Sequence, residues 1–427
     1  MEAYANSLKI AILFFVVLII IEYGFSILLK KRVYEPMDTI SGLSSGLTNN
    51  IKSIFKLTVV VVSYTWMIEN WSLFQLSETA LTYFLAFILI DFASYWSHRW
   101  NHEFNLLWNR HIIHHSSEEF NLSAALRQPI SGVFAIYFFL YIPMALIGIP
   151  SKVIAIIAPL HLFAQFWYHT RLINKMGFLE HIIVTPSHHR VHHAINPEYL
   201  DKNYAAIFIF WDKWFGTFQE ELADKPPVYG VTKAVETWNP VIINVLHLWQ
   251  LIKDAWRTKS WKDKFRIWLM PTGWRPADVN EKYPIIYNKN PYEQVKYKTA
   301  TTTFLTIWSF FQLTIHLVFQ FHILVLLPDL PFQETLLYGL FTVVSVFAYT
   351  TLMDRHWFSI PAEFIKMICG FTLFFSFNNW FGIDEMLPFT STFVVIYFII
   401  SFGITVYYGS QDYRKKQTVS IFKTDTV

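Results

Sequence analysis

Cysteine and charge are both scarce in this sequence. Cys369 is the one cysteine among 427 residues, and a single thiol excludes a disulfide framework, an iron–sulfur cluster and a zinc site built from several cysteines. Charged residues make up 15% of the chain, whereas soluble domains carry about 25%. The net charge of +3 is too small and too diffuse to indicate a nucleic-acid partner. Together with 54% hydrophobic residues, these shortages indicate a protein embedded in lipid.

Long apolar segments predict multiple membrane spans. A bilayer core about 30 Å thick requires about 20 apolar residues in a helix. We predict about nine spans, at 9–29, 53–69, 80–97, 130–148, 152–171, 301–327, 333–353, 357–377 and 387–408. The second is short enough to be half-inserted, and Pro159 should kink the fifth. We expect the first to be retained, because it lacks a small-residue cleavage site and ends in Lys30-Lys31-Arg32.

Basic residues are distributed unevenly between the two predicted membrane faces. One face carries only Lys9 and Lys152 of the 34 Lys and Arg residues, and the other carries the polar segment 172–300. Because basic residues mark the cytosolic side, we expect that segment to form a cytosolic cap. The plasma (inner) membrane of a bacterium and the endoplasmic reticulum of a eukaryote both remain open.

The resulting expectation is an all-α, multi-pass helical membrane protein. We expect N-terminal membrane helices over 1–79, a catalytic domain with its cap over 80–300, and C-terminal membrane helices over 301–427. Within the cap, tryptophans alternate with basic residues between Trp249 and Trp274. This pattern is typical of a helix in the lipid headgroup layer, although a solvated helix face remains the alternative.

Twelve of the 16 histidines lie between His98 and His193, and eight of them form three boxes. The first box is an HxxxH at the end of the third span, and the other two are HxxHH. The boxes consist of His98 and His102; His111, His114 and His115; and His189, His192 and His193. Residues three and four apart share one face of a helix, so each box directs several imidazoles to one point.

Eight imidazoles are too many ligands for one ion, so the boxes predict two metals. Imidazole binds zinc, copper, nickel and iron. A hydrolytic zinc site would more typically show HExxH with a glutamate base, and neither HxxHH box has one. We therefore favour iron and O₂-dependent oxidation of a lipid. A metal transporter, with the histidines forming an ion path, is a less favoured alternative because the boxes cluster at one membrane face.

The segments around the boxes, within residues 80–275, are similar to those of a known protein family. They include Asp91-Phe-Ala-Ser-Tyr-Trp-Ser-His98, Asn121-Leu-Ser, Gln165-Phe-Trp-Tyr-His169-Thr, Thr185-Pro-Ser-His-His-Arg-Val-His-His193 and Trp211-Asp-Lys-Trp-Phe-Gly-Thr-Phe218. The chain resembles the fatty acid hydroxylase / sterol desaturase superfamily of membrane di-iron oxygenases. The sequences that flank the boxes are most similar to those of the ether-lipid-cleaving branch of this superfamily, the alkylglycerol monooxygenases.

The resemblance implies roles for individual residues. The eight box histidines match the family's iron ligands, and His169 matches a ninth. Gln165 stands where other superfamily members have a histidine. No catalytic residue is implied beyond these ligands. We expect His161, about 12 Å along the helix from His169, to lie outside the site. Residues expected to orient the ligands through their free ring nitrogens are His188, Asp91, Glu103, Glu118 and Asn203.

The resemblance also implies a reaction and its partners. O₂ and tetrahydrobiopterin, the electron donor, would hydroxylate the alkyl carbon beside an ether oxygen. The hemiacetal would then give a fatty aldehyde and a glycerol derivative. The lipid substrate would enter from the bilayer. A sterol or fatty-acyl hydroxylase or desaturase of the same superfamily remains the alternative.

Overall fold

The structure is a computed structural model that describes residues 2–54, 62–132, 136–288 and 290–424. Within these residues every named element is a helix, and only three isolated β-bridges interrupt this pattern. The expected all-α fold is therefore confirmed for the part of the chain described.

The N-terminal region contains three helices, α1 (Glu2–Leu28), α2 (Pro36–Ile54) and α3 (Tyr64–Trp71). The apolar part of α1 has a mean hydropathy of 2.6, and only 17% of it is buried inside the chain. Most of its side chains therefore face outward, as expected against lipid. In contrast, α2 buries a row of polar side chains, among them Asp38, Ser44 and Thr48.

The central region begins with a long helix and continues with short ones. Thr79 caps the first, because its Oγ1 accepts a hydrogen bond from the Thr82 amide at 3.3 Å. The helices are α4 (Ala80–Glu103), α5 (Asn105–Trp108), α6 (Ile112–His115), α7 (Leu122–Ala125), α8 (Ile142–Leu146), α9 (Ser151–Phe163), α10 (Pro186–His192), α11 (Phe210–Trp214), α12 (Pro240–Arg257), α13 (Trp261–Arg266) and α14 (Ala277–Lys282). Three 3₁₀ segments accompany them, at Ile136–Tyr141, Gly177–His181 and Pro291–Glu293.

The C-terminal region is dominated by four long helices. Its helices are α15 (Thr303–Leu326), α16 (Phe332–Met353), α17 (Ser359–Ser376), α18 (Asn378–Phe381), α19 (Ile383–Met386) and α20 (Thr390–Thr424). A core rich in aromatic residues joins them, with Phe319, Phe341, Trp380 and Phe398 buried together. This region packs as a helical bundle beside the central one.

Six helices among the described residues are long and apolar enough to cross a membrane. They are Lys9–Leu28, Ala80–Glu103, Thr303–Leu326, Phe332–Met353, Ser359–Ser376 and Thr390–Gln411. They correspond to the first, third and last four predicted spans, which makes this an integral membrane protein. The predicted count of nine is not confirmed.

The other three predicted spans differ from the structure for separate reasons. Among the described residues, the fourth and fifth contain short apolar helices, Ile136–Leu146 and Ser151–Phe163, and residues 133–135 of the fourth lie outside the described part of the chain. The helix predicted over 152–171 contains Pro159 and ends at Phe163, so His169 lies beyond the helix and not at its end. Much of the second predicted span, at 55–61, lies outside the described residues.

Contacts at two levels along α4 fix its position. Ala86 and Ile90 of α4 pack against Val153 and Ile157 of α9 in one buried cluster. We call the segment 172–300 the cap. Nearer the end of α4, Tyr95 forms a buried hydroxyl–hydroxyl hydrogen bond with Thr217 of the cap at 2.9 Å. The last turns of α4 are therefore held rigidly beneath the cap.

Candidate metal centre

The first histidine box lies on the last turns of α4. That helix continues to Glu103, beyond the predicted end of the span at 97, so His98 and His102 are one turn apart on the same face. The centroids of their rings are 5.3 Å apart. The length of α4 therefore places this box at the end of a membrane helix.

The other two boxes lie on short helices of one or two turns. His114 and His115 end α6, and His111 is its N-cap residue. His189 and His192 lie in α10, and His193 is its C-cap residue. Pro186, in the first turn, suits a helix start because its missing N–H is not needed there.

The structure brings all nine predicted histidines together in two groups that could each hold a metal ion. Within each group the potential ligand atoms lie within 4.8 Å of one another. The first group has His98, His102, His111, His115 and His192; the second has His114, His169, His189 and His193. Each HxxHH box contributes to both groups, because adjacent residues of a helix point in different directions.

The two groups are directly in contact. The rings of His115, from the first group, and His193, from the second, stack with centroids 4.2 Å apart. His114 and His193, both in the second group, have centroids 4.6 Å apart. The arrangement thus offers one continuous centre with two adjacent positions.

Backbone carbonyls fix three of the rings. Nδ1 of His98, His169 and His192 lies 2.8, 3.1 and 2.9 Å from the carbonyl oxygens of Tyr204, Gln165 and Lys202 respectively. A carbonyl oxygen only accepts, so each Nδ1 carries the proton and each Nε2 of the neutral ring has a free lone pair. This orientation is the usual one for a histidine that binds a metal.

The chemistry of the ring nitrogens fits a cation at both positions. In the first group, Nε2 of His102, His115 and His192 is buried without a hydrogen-bond partner in the described part of the chain, which is costly for a polar atom. In the second group, Nε2 of His169 lies 2.8 Å from that of His189 and 3.3 Å from that of His114. A metal ion would satisfy these converging lone pairs.

Burial keeps the imidazoles outside the membrane span in the form that binds metal. It lowers the pKa of His114 to about 3. Burial and the neighbouring rings hold the pKa of His115, His189 and His193 well below the ordinary histidine value. These rings are therefore neutral at physiological pH, and the neutral ring is the one that coordinates metals.

Asp91 and His188 form hydrogen bonds with groups other than the nine clustered histidine rings. Asp91 accepts hydrogen bonds from Trp211 Nε1 and the Ile207 amide, both at 2.9 Å, and lies 2.7 Å from Nε2 of His161. His188 caps α10 instead, since its Nδ1 accepts from the Thr185 amide at 3.3 Å. His161 belongs to neither group, and α9, which carries it, ends at Phe163, before His169.

The remaining three predicted orienting residues also contact other partners. Glu103 pairs with Arg99 at 2.7 Å. Glu118 accepts from the Tyr297 amide at 2.6 Å, and Asn203 donates to the backbone carbonyl of His188 at 3.0 Å. None of the five has a hydrogen bond to a ring nitrogen of the nine histidines among the described contacts. For His98, His169 and His192 the observed orienting groups are main-chain carbonyls, which the identity of a side chain does not reveal.

Helical spans and two adjacent groups of buried imidazoles define the class: a membrane protein with a histidine-box metal centre. The sequence profile of the fatty acid hydroxylase family matches residues 83–217, which include all nine histidines. The chain belongs to the fatty acid hydroxylase superfamily and, within it, to the alkylglycerol monooxygenase family.

Three curated relatives illustrate the range of similarity. Alkylglycerol monooxygenase of Homo sapiens is 36% identical over 325 residues, covering 75% of this chain and 71% of the human protein. The Danio rerio protein of the same name is 40% identical over 244 residues, covering 56% and 53% respectively. Ornithine lipid hydroxylase OlsE of Rhizobium tropici is 29% identical over 152 residues, covering 35% and 46%. No solved structure matches the chain.

Proposed function

We propose that the protein is a di-iron monooxygenase that cleaves the ether bond of alkylglycerols, with tetrahydrobiopterin as its electron donor. One oxygen atom of O₂ would become a hydroxyl group on the alkyl carbon beside the ether oxygen, and the other would leave as water. Tetrahydrobiopterin would supply the two electrons and two protons required. The hemiacetal would then break its C–O bond to give a fatty aldehyde and a glycerol derivative.

The observation that carries this proposal is the pair of imidazole groups. The nine histidines of those groups would hold two irons, and iron in such a site supplies activation of O₂. The protein's own contribution is to hold neutral ligands in fixed orientations through main-chain carbonyls. Burial of the rings also excludes bulk water, which protects a reactive centre from side reactions.

The position of α4 supports a lipid substrate. The first box lies at the end of a helix that is long and apolar enough to span a membrane, so a lipid could present its headgroup end to the centre while its alkyl chain stays in the bilayer. We propose that the substrate enters sideways from the bilayer and that the centre faces the cytosol. The uneven distribution of basic residues supports this orientation.

Hydroxylation of a fatty-acyl or sterol substrate is the second candidate. The match of the fatty acid hydroxylase profile over 83–217 supports it, because that segment contains every proposed ligand. The same metal centre could serve either substrate, so only the identity of the product separates the two candidates.

The test is an assay of the purified, iron-loaded protein with an alkylglycerol, O₂ and tetrahydrobiopterin. We expect release of a fatty aldehyde that stops when either O₂ or the pterin is omitted. His192→Ala is the matched inactive control. Turnover of a free fatty acid or a sterol, with no aldehyde from the ether lipid, would favour the second candidate and refute the first.

A further inference from the structure

An apolar stripe runs along the outer face of the cap. On α12, Val245, Trp249, Ile252 and Trp256 are exposed, and their spacing of four, three and four residues places them on one helical face. The opposite face of the same helix is buried, at Ile243, Asn244, Leu251 and Asp254. This helix therefore buries a mixed polar and apolar face inside the protein and exposes an apolar face outside it.

The stripe continues past the end of α12. Trp261 and Phe265 of α13 are 72% and 73% exposed, Leu269 just beyond is 68% exposed, and Trp256 reaches 86%. We call the seven residues the aromatic stripe: Val245, Trp249, Ile252, Trp256, Trp261, Phe265 and Leu269. Large exposed apolar side chains grouped in this way mark a protein or membrane contact.

Basic side chains surround the aromatic stripe. Between Trp249 and Leu269 there are six basic residues, Lys253, Arg257, Lys259, Lys262, Lys264 and Arg266, and two acidic ones. Both acidic residues are already paired: Asp254 with Arg275 and Asp263 with Arg266, each at 2.6 Å. The surface therefore presents uncompensated positive charge beside its tryptophans.

The aromatic stripe is attached directly to the end of a membrane span. Asn105, two residues after α4 ends, donates from Nδ2 to the carbonyl oxygens of Ile267 and Trp274, both at 3.0 Å. Its own amide donates to the Met270 carbonyl at 3.0 Å. Because these bonds join the stripe to the point where α4 ends, the stripe lies close to the plane where that helix leaves the bilayer.

We propose that the aromatic stripe docks on the headgroup layer of the membrane that the chain itself spans, with its basic residues against anionic lipid headgroups. Tryptophan suits this layer because its ring is amphipathic, and lysine and arginine extend from apolar surface to phosphate. Attraction of each cation to an anionic leaflet adds to the apolar contact. A partner protein is disfavoured, since the stripe is tied to a helix that ends at the membrane surface.

Docking would also set the height of the metal centre above the bilayer. The segment that hydrogen-bonds to α12 and to the residues just after α13 joins His102 of the first box to His111 of the second. Asn109 in the same segment donates to the Asn244 carbonyl at 3.1 Å and accepts from the Leu248 amide at 2.9 Å. A stripe fixed in the headgroup layer would therefore hold both boxes at a constant depth.

The test measures membrane depth by spin labelling of the full chain in lipid nanodiscs. Cys369 is the only native cysteine, so Cys369→Ser provides a background for Trp256→Cys and, separately, Phe265→Cys. The matched control is Asp224→Cys, an exposed cap position outside the stripe. Unchanged iron content would verify that each labelled chain is folded, independently of any lipid-cleaving activity.

We expect labels on the stripe to collide readily with O₂ and poorly with a water-soluble nickel chelate, and the control label to show the reverse. Equal access of the chelate to stripe and control would overturn the proposal. Exclusion of both reagents from the stripe would indicate a protein partner and overturn it as well.

The anionic component is tested by changing the lipid and the charge. Replacing phosphatidylglycerol by phosphatidylcholine, or introducing Arg257→Gln, Lys259→Gln and Lys262→Gln together, should raise chelate access at Phe265→Cys severalfold. Substitution of Lys298, an exposed lysine outside the stripe, by Gln should not. Depth that is independent of both changes would refute the role assigned to anionic headgroups.

Discussion

Arg127 offers the most quantitative test of how the second box is held. Its guanidinium donates to Asp38 Oδ1 at 2.7 Å, to the Asp38 carbonyl at 3.2 Å and to Ser116 Oγ at 2.8 Å. Both side chains of the ion pair are almost fully buried, with 2% and 4% exposure. The other carboxylate oxygen of Asp38 accepts from Ser117 Oγ at 2.7 Å. Ser116 and Ser117 directly follow His115, so the pair anchors the box to α2.

Arg127→Met should therefore destabilise the protein and loosen the metal centre. Removing one partner of a buried ion pair costs about 3–5 kcal/mol, because the other charge stays buried without compensation. For a chain of this length that loss corresponds to a fall of roughly 3–5 °C in the thermal midpoint. Burial already raises the pKa of Asp38, and Arg127 lowers it, so loss of Arg127 should leave Asp38 protonated at a higher pH.

The assay is thermal unfolding of the detergent-solubilised protein together with its iron content. Lys152→Met is the control, since it removes an exposed ion pair with Glu78 and should shift the midpoint far less. The double variant Asp38→Leu with Arg127→Met should recover much of the loss, because no buried charge remains unpaired. A single-variant shift no larger than that of Lys152→Met, or a double variant that is less stable than Arg127→Met, would refute the reasoning.

Three further predictions concern the histidines. The purified wild type should contain two metal ions per chain, and His114→Ala should lower that content; a content of one in the wild type would contradict the two-position centre. His322→Ala should leave activity largely intact while His192→Ala abolishes it, because His322 contacts Tyr338 at 3.0 Å and belongs to neither group; equal loss would contradict that separation. His169→Ala should lose metal, whereas His161→Ala should keep it, and iron content measured before activity would expose a reversed assignment.

Local patterns in the sequence were sufficient to predict which histidines lie close together. His98 and His102, or His189 and His193, meet because helical spacing brings them to one face, whatever the rest of the fold does. The same local signal located α4 and the four long C-terminal helices, since apolar length alone decides them. These predictions agree with the structure because each depends on residues that are neighbours along a single helix.

Long-range contacts account for what the sequence did not predict. The ring of His98 is oriented by the carbonyl of Tyr204, a residue 106 positions away, and a main-chain group leaves no side-chain signature. The polar helix α2 was not predicted, yet its Asp38 pairs with Arg127 across 89 positions. That pair also crosses the predicted domain boundary at 79/80, so the N-terminal helices contribute to the setting of the metal centre.

The most direct test of the central claim is the fate of the oxygen atoms when the protein acts on an alkylglycerol. The reaction would be run under ¹⁸O₂ with tetrahydrobiopterin, and borohydride would trap the aldehyde as an alcohol before it exchanges with water. We expect ¹⁸O in the fatty alcohol and none in the glycerol product, because the new hydroxyl becomes the aldehyde oxygen while the ether oxygen stays with glycerol. A fatty alcohol without ¹⁸O would mean that its oxygen came from water, and that result would contradict a monooxygenase.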